Sequence, residues 1–393
     1  MIFQTFDDKE KCHMVYKDGK FYDKYTPLCT KTWSYTSYLS EQDVDYANLF
    51  VLGKSLEELC PVNKKKEFDE IQKRIKAVIK TSQIVGLDLD QTCIYDIMPR
   101  FLLKNWAEIK NEICENIFNN CPKPNNYEQL LKIVKVIADI KQRPLNINLS
   151  QVDKITTQDK NICRLIEDST SFIDYDIAKT VTGRLSTKKG SFPVLTLAKQ
   201  YRKILIPNND WLFEMDFNAC ELRVALALLG HEQPEEDLHD WNLTHVFTSA
   251  KDRDNAKKRI FSWLYNPNSK DDMVSKVYNR KKLKSLYFKD NKVITPFGRE
   301  IECDEDHAIS YLIQSTAADL VFEQMYKIWE FLKSRKSYIK FCNHDSIMID
   351  LHREQEYEFH TIKELFSDTR FGKFRINCLG GKNWAEMKNL FIK

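Results

Sequence analysis

Apolar residues follow one rhythm in the first part of the chain and change character from about Thr180 onward. In residues 64–82, a lysine-rich stretch, Phe68, Ile71, Ile75, Val78 and Ile79 recur at helical spacing, which predicts an amphipathic surface helix. The run Ile84-Val-Gly-Leu-Asp-Leu-Asp90 reads as a short strand ending in acids. Over residues 97–140, Phe101, Leu102, Trp106, Ile109, Ile113 and Ile117 form one apolar stripe. Leu130, Ile133, Val134, Ile137 and Ile140 form another, so a pair of long helices is predicted. Residues 144–158 are polar and turn-prone, as suits a loop at the tip of that helical hairpin. Farther on, Trp211-Leu-Phe-Glu-Met-Asp216 reads as a strand, residues 221–229 as a helix, and 338–341 and 347–351 as two strands joined by Asn343-His-Asp-Ser346.

Composition narrows the classes. Hydrophobic residues make up 42% and charged residues 30%, a globular rather than a disordered balance. Ten glycines are few for a glycine-rich β architecture. No apolar run approaches the roughly 20 residues of a membrane-spanning helix, and residues 1–10 lack an export pattern. The expectation is an intracellular protein of the cytoplasm with no membrane partner. The eleven cysteines are odd in number and contain no C-x-x-C pair, so reduced thiols are expected. A net charge of +3 says little about nucleic acid until its distribution is known.

Three features suggest chemistry. Asp216 ends a strand, a place where an aspartate is otherwise a helix cap or turn former. Asp345 sits at the tip of a predicted hairpin, where it is held yet reaches solvent. Two such carboxylates on adjacent strands would make a hard oxygen site suited to Mg²⁺, and a pair of ions about 4 Å apart can assist phosphoryl transfer. Arg253, Lys257, Phe261 and Tyr265 are four apart on a predicted helix. Each step overshoots a full turn by about 40°, so they share one broad face spanning roughly 18 Å. Two cations followed by two aromatics suit a triphosphate at one end and a base at the other. Ala256, Ile260 and Leu264 lie on another face, free to pack inward. The plain alternative is a basic solvated helix with a buried aromatic end.

In order and spacing these residues resemble family A DNA polymerases. Asp216-Phe-Asn-Ala-Cys-Glu-Leu-Arg223 resembles motif A, Arg253-x3-Lys257-x3-Phe261-x3-Tyr265 motif B, and Asn343-His-Asp-Ser346 motif C. Thr182-Gly-Arg-Leu-Ser186, Asp237-Leu-His239, Phe297-Gly-Arg299, Gln314-Ser-Thr-Ala-Ala-Asp319 and Gly381-Lys-Asn-Trp384 resemble further family elements, from about Thr180 to the C-terminus. The flavour is phage-like, which would place the protein in the cytoplasm of a bacterial host.

The resemblance implies an α+β right hand: a small N-terminal domain (1–96), thumb (97–181), palm (182–235 and 299–393) and fingers (236–298). It implies that Asp216 and Asp345, with the Phe217 carbonyl, hold two Mg²⁺ ions. His239, Arg253 and Lys257 would contact the dNTP triphosphate. Glu221 would exclude a ribose 2′-hydroxyl, Phe261 would stack near the incoming sugar and base, and Tyr265 would stand at the template position. Arg184, Gln314, His344 and Arg299 would meet primer–template DNA. The reaction would add dNTPs to a primer 3′-hydroxyl and release pyrophosphate. A single-subunit RNA polymerase and a non-catalytic primer–template binding protein are the alternatives.

Departures from the family pattern are Ser346 for the glutamate that usually ends motif C, Asn266 for glycine after Tyr265, Ala219 for glutamine and Ser315 for glycine. Asp88-Leu-Asp90 is a poor match for an exonuclease Asp-x-Glu, and the space before Thr182 is too short for that module. A polymerase without proofreading is expected, leaving room for a separate exonuclease or clamp in trans. Highly purified protein should therefore leave a mismatched 3′ nucleotide in place; release that disappears with Asp88→Ala would overturn this expectation.

Overall fold

The computed structural model describes residues 1–9, 12–89, 92–151, 171–247 and 252–389. The chain divides into two compact units, Met1–Gln142 and Arg143–Lys393.

In the first unit the lysine-rich stretch is helical as expected, α1 (Lys65–Ile84), with Phe68 and Ile71 buried. The expected strand after it does not form. Gly86 adopts φ +77°, and the Gly86 and Leu87 N–H groups donate to the Gln83 and Ser82 carbonyls. That is a Schellman cap, which satisfies the last carbonyls of α1 and turns the chain outward. Ile84, Val85 and Leu87 are consequently exposed, as is Asp88; Asp90 lies outside the described residues.

The two predicted long helices are α2 (Arg100–Asn120) and α3 (Tyr127–Gln142). Leu102, Ile109, Ile113 and Ile117 of the α2 stripe are buried, whereas Phe101 points outward and Leu103 takes the inward position. Leu102, Ile109, Ile113 and Ile117 share one core with Ala47, Phe68, Ile71 and Met98. Residues on both sides of position 96/97 share that core, within the compact unit Met1–Gln142. A three-stranded antiparallel meander, β1 (Gln4–Thr5), β2 (Val15–Lys17) and β3 (Lys20–Tyr22), belongs to the same unit. Cys12 and Cys93 are joined as a disulfide across 81 residues of sequence, a correction to the all-thiol expectation. Eight further described cysteines are free.

The second unit is built on a four-stranded antiparallel sheet. Its strands are β4 (Trp211–Phe217), β5 (Tyr338–Asn343), β6 (Ser346–Leu351) and β7 (Ile376–Gly381), in spatial order β5-β6-β4-β7. Residues 146–147, expected in a loop, instead pair with 205–206; residues 152–158 lie outside the described ones.

Alternation along β4 gives the sheet two different faces. Phe213, Met215 and Phe217 point to one side, where Phe213 packs edge-on against Phe359 and Phe217 stacks on Phe366. Both partners lie on the helix Phe359–Ser367. Glu214 and Asp216 point to the other side, half-buried.

Besides the helix Phe359–Ser367, this unit contains α4 (Cys220–Leu228), α5 (Leu238–His245), α6 (Arg253–Tyr265), α7 (Asp272–Val277), α8 (Arg280–Tyr287) and α9 (Ala308–Leu332). Asp237, Asp252, Asp271 and Asn279 cap four of them, each side chain accepting first-turn N–H bonds. No helix among the described residues is long and apolar enough to cross a membrane.

A β-bulge places Lys340 between Ile339 and Phe341, which pair with Ile349 and Met348. Its ammonium meets Asp350 at 2.7 Å, and both side chains are almost completely buried. The Asn208 and Asn209 N–H groups donate to the same carboxylate, each at 2.8 Å. Removing one member of such a pair leaves an uncompensated buried charge. Lys340→Met should therefore lower unfolding stability by about 3–5 kcal/mol in urea titrations. Lys336→Ala, which breaks the exposed Lys336–Glu354 pair, should leave the unfolding midpoint nearly unchanged, because solvent screens such a pair.

Candidate functional site

β4 delivers Asp216 opposite Ser346 of β6 on one side and Asn377 of β7 on the other. β5 and β6 are joined by a two-residue turn, His344–Asp345, because Asn343 pairs directly with Ser346. His344 holds a positive φ of 57° there. The Phe217 N–H points to the Asp345 carbonyl at 3.5 Å. The two aspartates expected to act together therefore meet at one end of the sheet.

The electrostatics of that end are strained. Burial, and after it the neighbouring Asp345 charge, pushes the Asp216 carboxyl up to about 7, against a weak opposing bond from Asn377. Burial also raises Glu214, two residues before it, although Ser346 donates to it. A donor set of hard carboxylates that destabilise one another's charge is one a divalent cation relieves. Asp216 and Asp345 could hold a hard divalent cation such as Mg²⁺, and Phe217 lies beside them.

After Asp216 the chain turns sharply. Ala219 adopts left-handed angles, φ 53° and ψ 52°, and starts α4. Arg223, completely buried, reaches back and donates to the carbonyls of Asn218, Pro234 and Glu236. Asn218 in turn donates to Asp237 at 2.7 Å and accepts from the Leu238 N–H. This web ties the turn after Asp216 to the start of α5, and neither Asn218 nor Arg223 was assigned a role from sequence.

Asp237 continues the web to α6. Both of its oxygens accept from the Arg253 guanidinium at 3.0 Å, and Asp240 adds a second ion pair at 3.3 Å. Burial works against the Asp237 charge, but bonds from Asn218, Arg253 and the Asp240 N–H outweigh it and hold the carboxyl down at about 2. His239 is buried, its Nδ1 without a hydrogen-bond partner among the described residues. Burial, then Arg253 and Lys257, lowers its pKa, which favours the neutral imidazole.

The faces of α6 divide as the spacing predicts. Ala256, Ile260 and Leu264 are buried, while Arg253 and Lys257 are exposed. The Phe261 and Tyr265 rings stack with centroids 5.8 Å apart, and the Lys257 ammonium lies 6.0 Å from the Phe261 ring. The Tyr265 hydroxyl donates to Glu221, and so does Arg184. That three-way contact joins α6, α4 and the Thr182–Ser186 segment. A cavity of about 360 Å³ is lined by Arg184, Cys220, Glu221, Cys342, His344 and Asp345, among others. Gln314 is half-buried on α9, whose Ala317 and Phe322 line the same cavity.

Arg299 lies in the interior. Its guanidinium, expected at DNA, is buried and forms two bonds to the fully buried Asp319, at 3.0 and 2.6 Å. It also lies flat against Gly183, where a Cβ would meet it at 2.5 Å. That contact, with a φ of +74°, accounts for glycine in the Thr182-Gly-Arg element. Arg299 thus ties the Gly183 turn to Asp319 of α9.

No family model matches the sequence, and no curated protein does. The fold is nevertheless similar to that of a solved structure, the polymerase domain of Pol1 from M. smegmatis in complex with DNA primer-template and dNTP. The TM-score is 0.65 at 12% sequence identity, over 88% of this chain and 82% of that one. The chain is thus an α+β protein with the fold of a DNA polymerase domain.

The raised Asp216 pKa has a definite sign. The carboxyl is neutral in both states below its ordinary value near 4, so it exerts no penalty there. As pH rises from 4 through 7, the unfolded chain ionises first and the folded state loses stability. In metal-free protein, Asp216→Asn should accordingly raise the melting temperature at pH 8 and leave it nearly unchanged at pH 4. Equal effects at both pH values would show that Asp216 ionises freely in the folded state.

Proposed function

We propose that this protein is a template-directed DNA polymerase of the family A kind, extending a primer 3′-hydroxyl with dNTPs and releasing pyrophosphate. The observation that carries the reading is the meeting of Asp216 and Asp345 at the β4–β6 end, in a fold similar to that of a DNA polymerase domain. Two Mg²⁺ ions held by these carboxylates would supply charge that favours the attacking alkoxide and the leaving pyrophosphate.

The chain's own groups supply the rest. Arg253 and Lys257 present an exposed cationic end on α6, suited to charge-assisted bonds with a triphosphate. Arg253 is held by Asp237 and Asp240, so it is aimed before a nucleotide arrives, and the phosphates compete with two carboxylates for it. His239, as a neutral imidazole, can donate one hydrogen bond without adding charge. Phe261 offers a flat apolar surface beside the cations. Glu221 is fixed from two sides by Tyr265 and Arg184, which suits a rigid gate against a 2′-hydroxyl better than a free side chain would. Arg184, His344 and Gln314 approach the cavity where a primer–template minor groove would lie, and contacts there check pair geometry without reading sequence. Primer–template DNA and dNTPs are the proposed partners. A phage-like protein without its own exonuclease, working in a bacterial cytoplasm with any nuclease or clamp in trans, completes the proposal.

Primer extension with Mg²⁺ tests it. The wild type should add dNTPs in template order, and Asp345→Ala should reduce the rate by at least about a thousandfold, the scale on which loss of transition-state charge stabilisation acts. Equal activity in the two proteins would remove the mechanism. Preferential use of rNTPs by the wild type would move the reading to an RNA polymerase.

A further inference from the structure

We propose that Asp7, Cys12 and Cys93 form, in the reduced protein, a binding site for a thiophilic divalent cation such as Zn²⁺. The site lies within the unit Met1–Gln142, and the inference is independent of the polymerase reading.

The two Sγ atoms and a carboxylate oxygen of Asp7 all lie within 4.8 Å of one another. No other group of three His, Cys, Asp or Glu side chains is that close among the described residues. Asp7 and Cys12 belong to the connection between β1 and β2, and Cys93 lies ahead of α2. In the oxidised chain the two sulfurs are bonded to each other, and neither is a thiolate. Reduction by a dithiol adds two electrons and two protons to the bond, giving two thiols while the reductant closes to its own disulfide. Zn²⁺ then displaces both protons to solvent and is held by two thiolates and the carboxylate. Zn–S bonds of about 2.3 Å set two sulfurs of a tetrahedral site about 3.8 Å apart. The Cα separation of 5.6 Å accommodates that spacing as well as the disulfide.

The disulfide is not the only tie between these segments. Asp7 Oδ2 accepts from the N–H of Ile94, the residue after Cys93, at 2.9 Å. Lys9 spans the same gap, donating to Asp7 Oδ2 and to the Thr92 carbonyl, each at 2.8 Å. Phe6 packs against Phe21 and Tyr95, with ring centroids 5.6 and 6.3 Å away. These contacts survive reduction, so both thiols stay beside the carboxylate.

Charge and access agree with a cation. The Asp7 side chain is only 5% exposed. Both of its bonds go to Oδ2, which leaves Oδ1 without a hydrogen bond among the described residues. Asp8 is engaged instead by Lys141 at 2.8 Å. Two thiolates and one carboxylate carry three negative charges, and Zn²⁺ with Lys9 carries three positive ones. The filled site is therefore neutral, as burial favours. Cys12 is buried and Cys93 half-buried, so the Cys93 side admits the ion and a water in the fourth position. Eight further described cysteines are free. Where cellular thiols keep cysteines reduced, a disulfide does not persist; there the ion closes the same 81-residue span.

The test is Co²⁺ binding to the full chain, because thiolate ligands give Co²⁺ a charge-transfer absorption that oxygen ligands do not. Protein reduced with a dithiol and freed of it under argon should bind one sulfur-ligated Co²⁺ per chain, which Zn²⁺ should displace. Oxidised protein should show no such band. Cys12→Ser combined with Cys93→Ser should remove the band from reduced protein. Asp7→Asn should keep the band but weaken Co²⁺ affinity at least about tenfold, the cost of losing even a supporting group. Cys60→Ser combined with Cys121→Ser should change neither. Zn²⁺ should also raise the melting temperature of reduced wild type more than that of oxidised wild type, a comparison that needs no variant to fold. The proposal is overturned if reduced wild type shows no band, if the band persists without Cys12 and Cys93, or if it is lost without Cys60 and Cys121. Equal shifts in melting temperature for reduced and oxidised protein would place the ion elsewhere and overturn it too.

Discussion

Side chains alternate along a strand, so the alignment of β4 with its neighbours decides which groups can ever meet at the site. Asp216 lies across from Ser346 and Asn377. A slip of one residue would bring Phe217 to that position and drive Asp216 into the packed side of the sheet. What resists the slip is aromatic packing: Phe213 against Phe359 and Phe217 against Phe366 and Phe374. The rings sit on the opposite face from the acids, yet they are what places the acids. Chemistry on one side of this sheet is therefore positioned by hydrophobic burial on the other.

Around that sheet, buried cations and buried acids are treated differently. Arg223, Arg299 and Lys340 each have their donors taken up by internal acceptors. Each joins segments that are distant in sequence: the turn after β4 with the start of α5, residue 299 with α9, β5 with β6 and the Asn208–Asn209 turn. The acids at the strand end are under-compensated by comparison, and Asp216 shows it in its raised pKa.

Much of this was legible in the sequence. Helical spacing located α1, α2, α3 and both faces of α6, because burial of one face imposes that period. The β4 strand and the hairpin carrying Asp345 stood out as apolar runs broken by a polar turn. What was not legible has common causes. The run after Ile84 is apolar enough for a strand, but Gly86 lets the helix end in a cap first, and a local cap forms without needing a partner strand. Arg299 belongs to a motif, and motifs do not say whether an arginine faces DNA or Asp319. The Cys12–Cys93 link spans 81 residues, beyond any local pattern.

Two residues that flank the acids, Ala219 and His344, hold the left-handed backbone that favours glycine. Any programme that evolves this chain toward heat resistance will find glycine there attractive, since relaxing such a conformation recovers on the order of 1 kcal/mol. Glycine would also widen the range of turns available after Asp216 and before Asp345. The hardiest variants from such a selection would then carry the loosest site, and a screen for survival on heating would need a second screen for turnover.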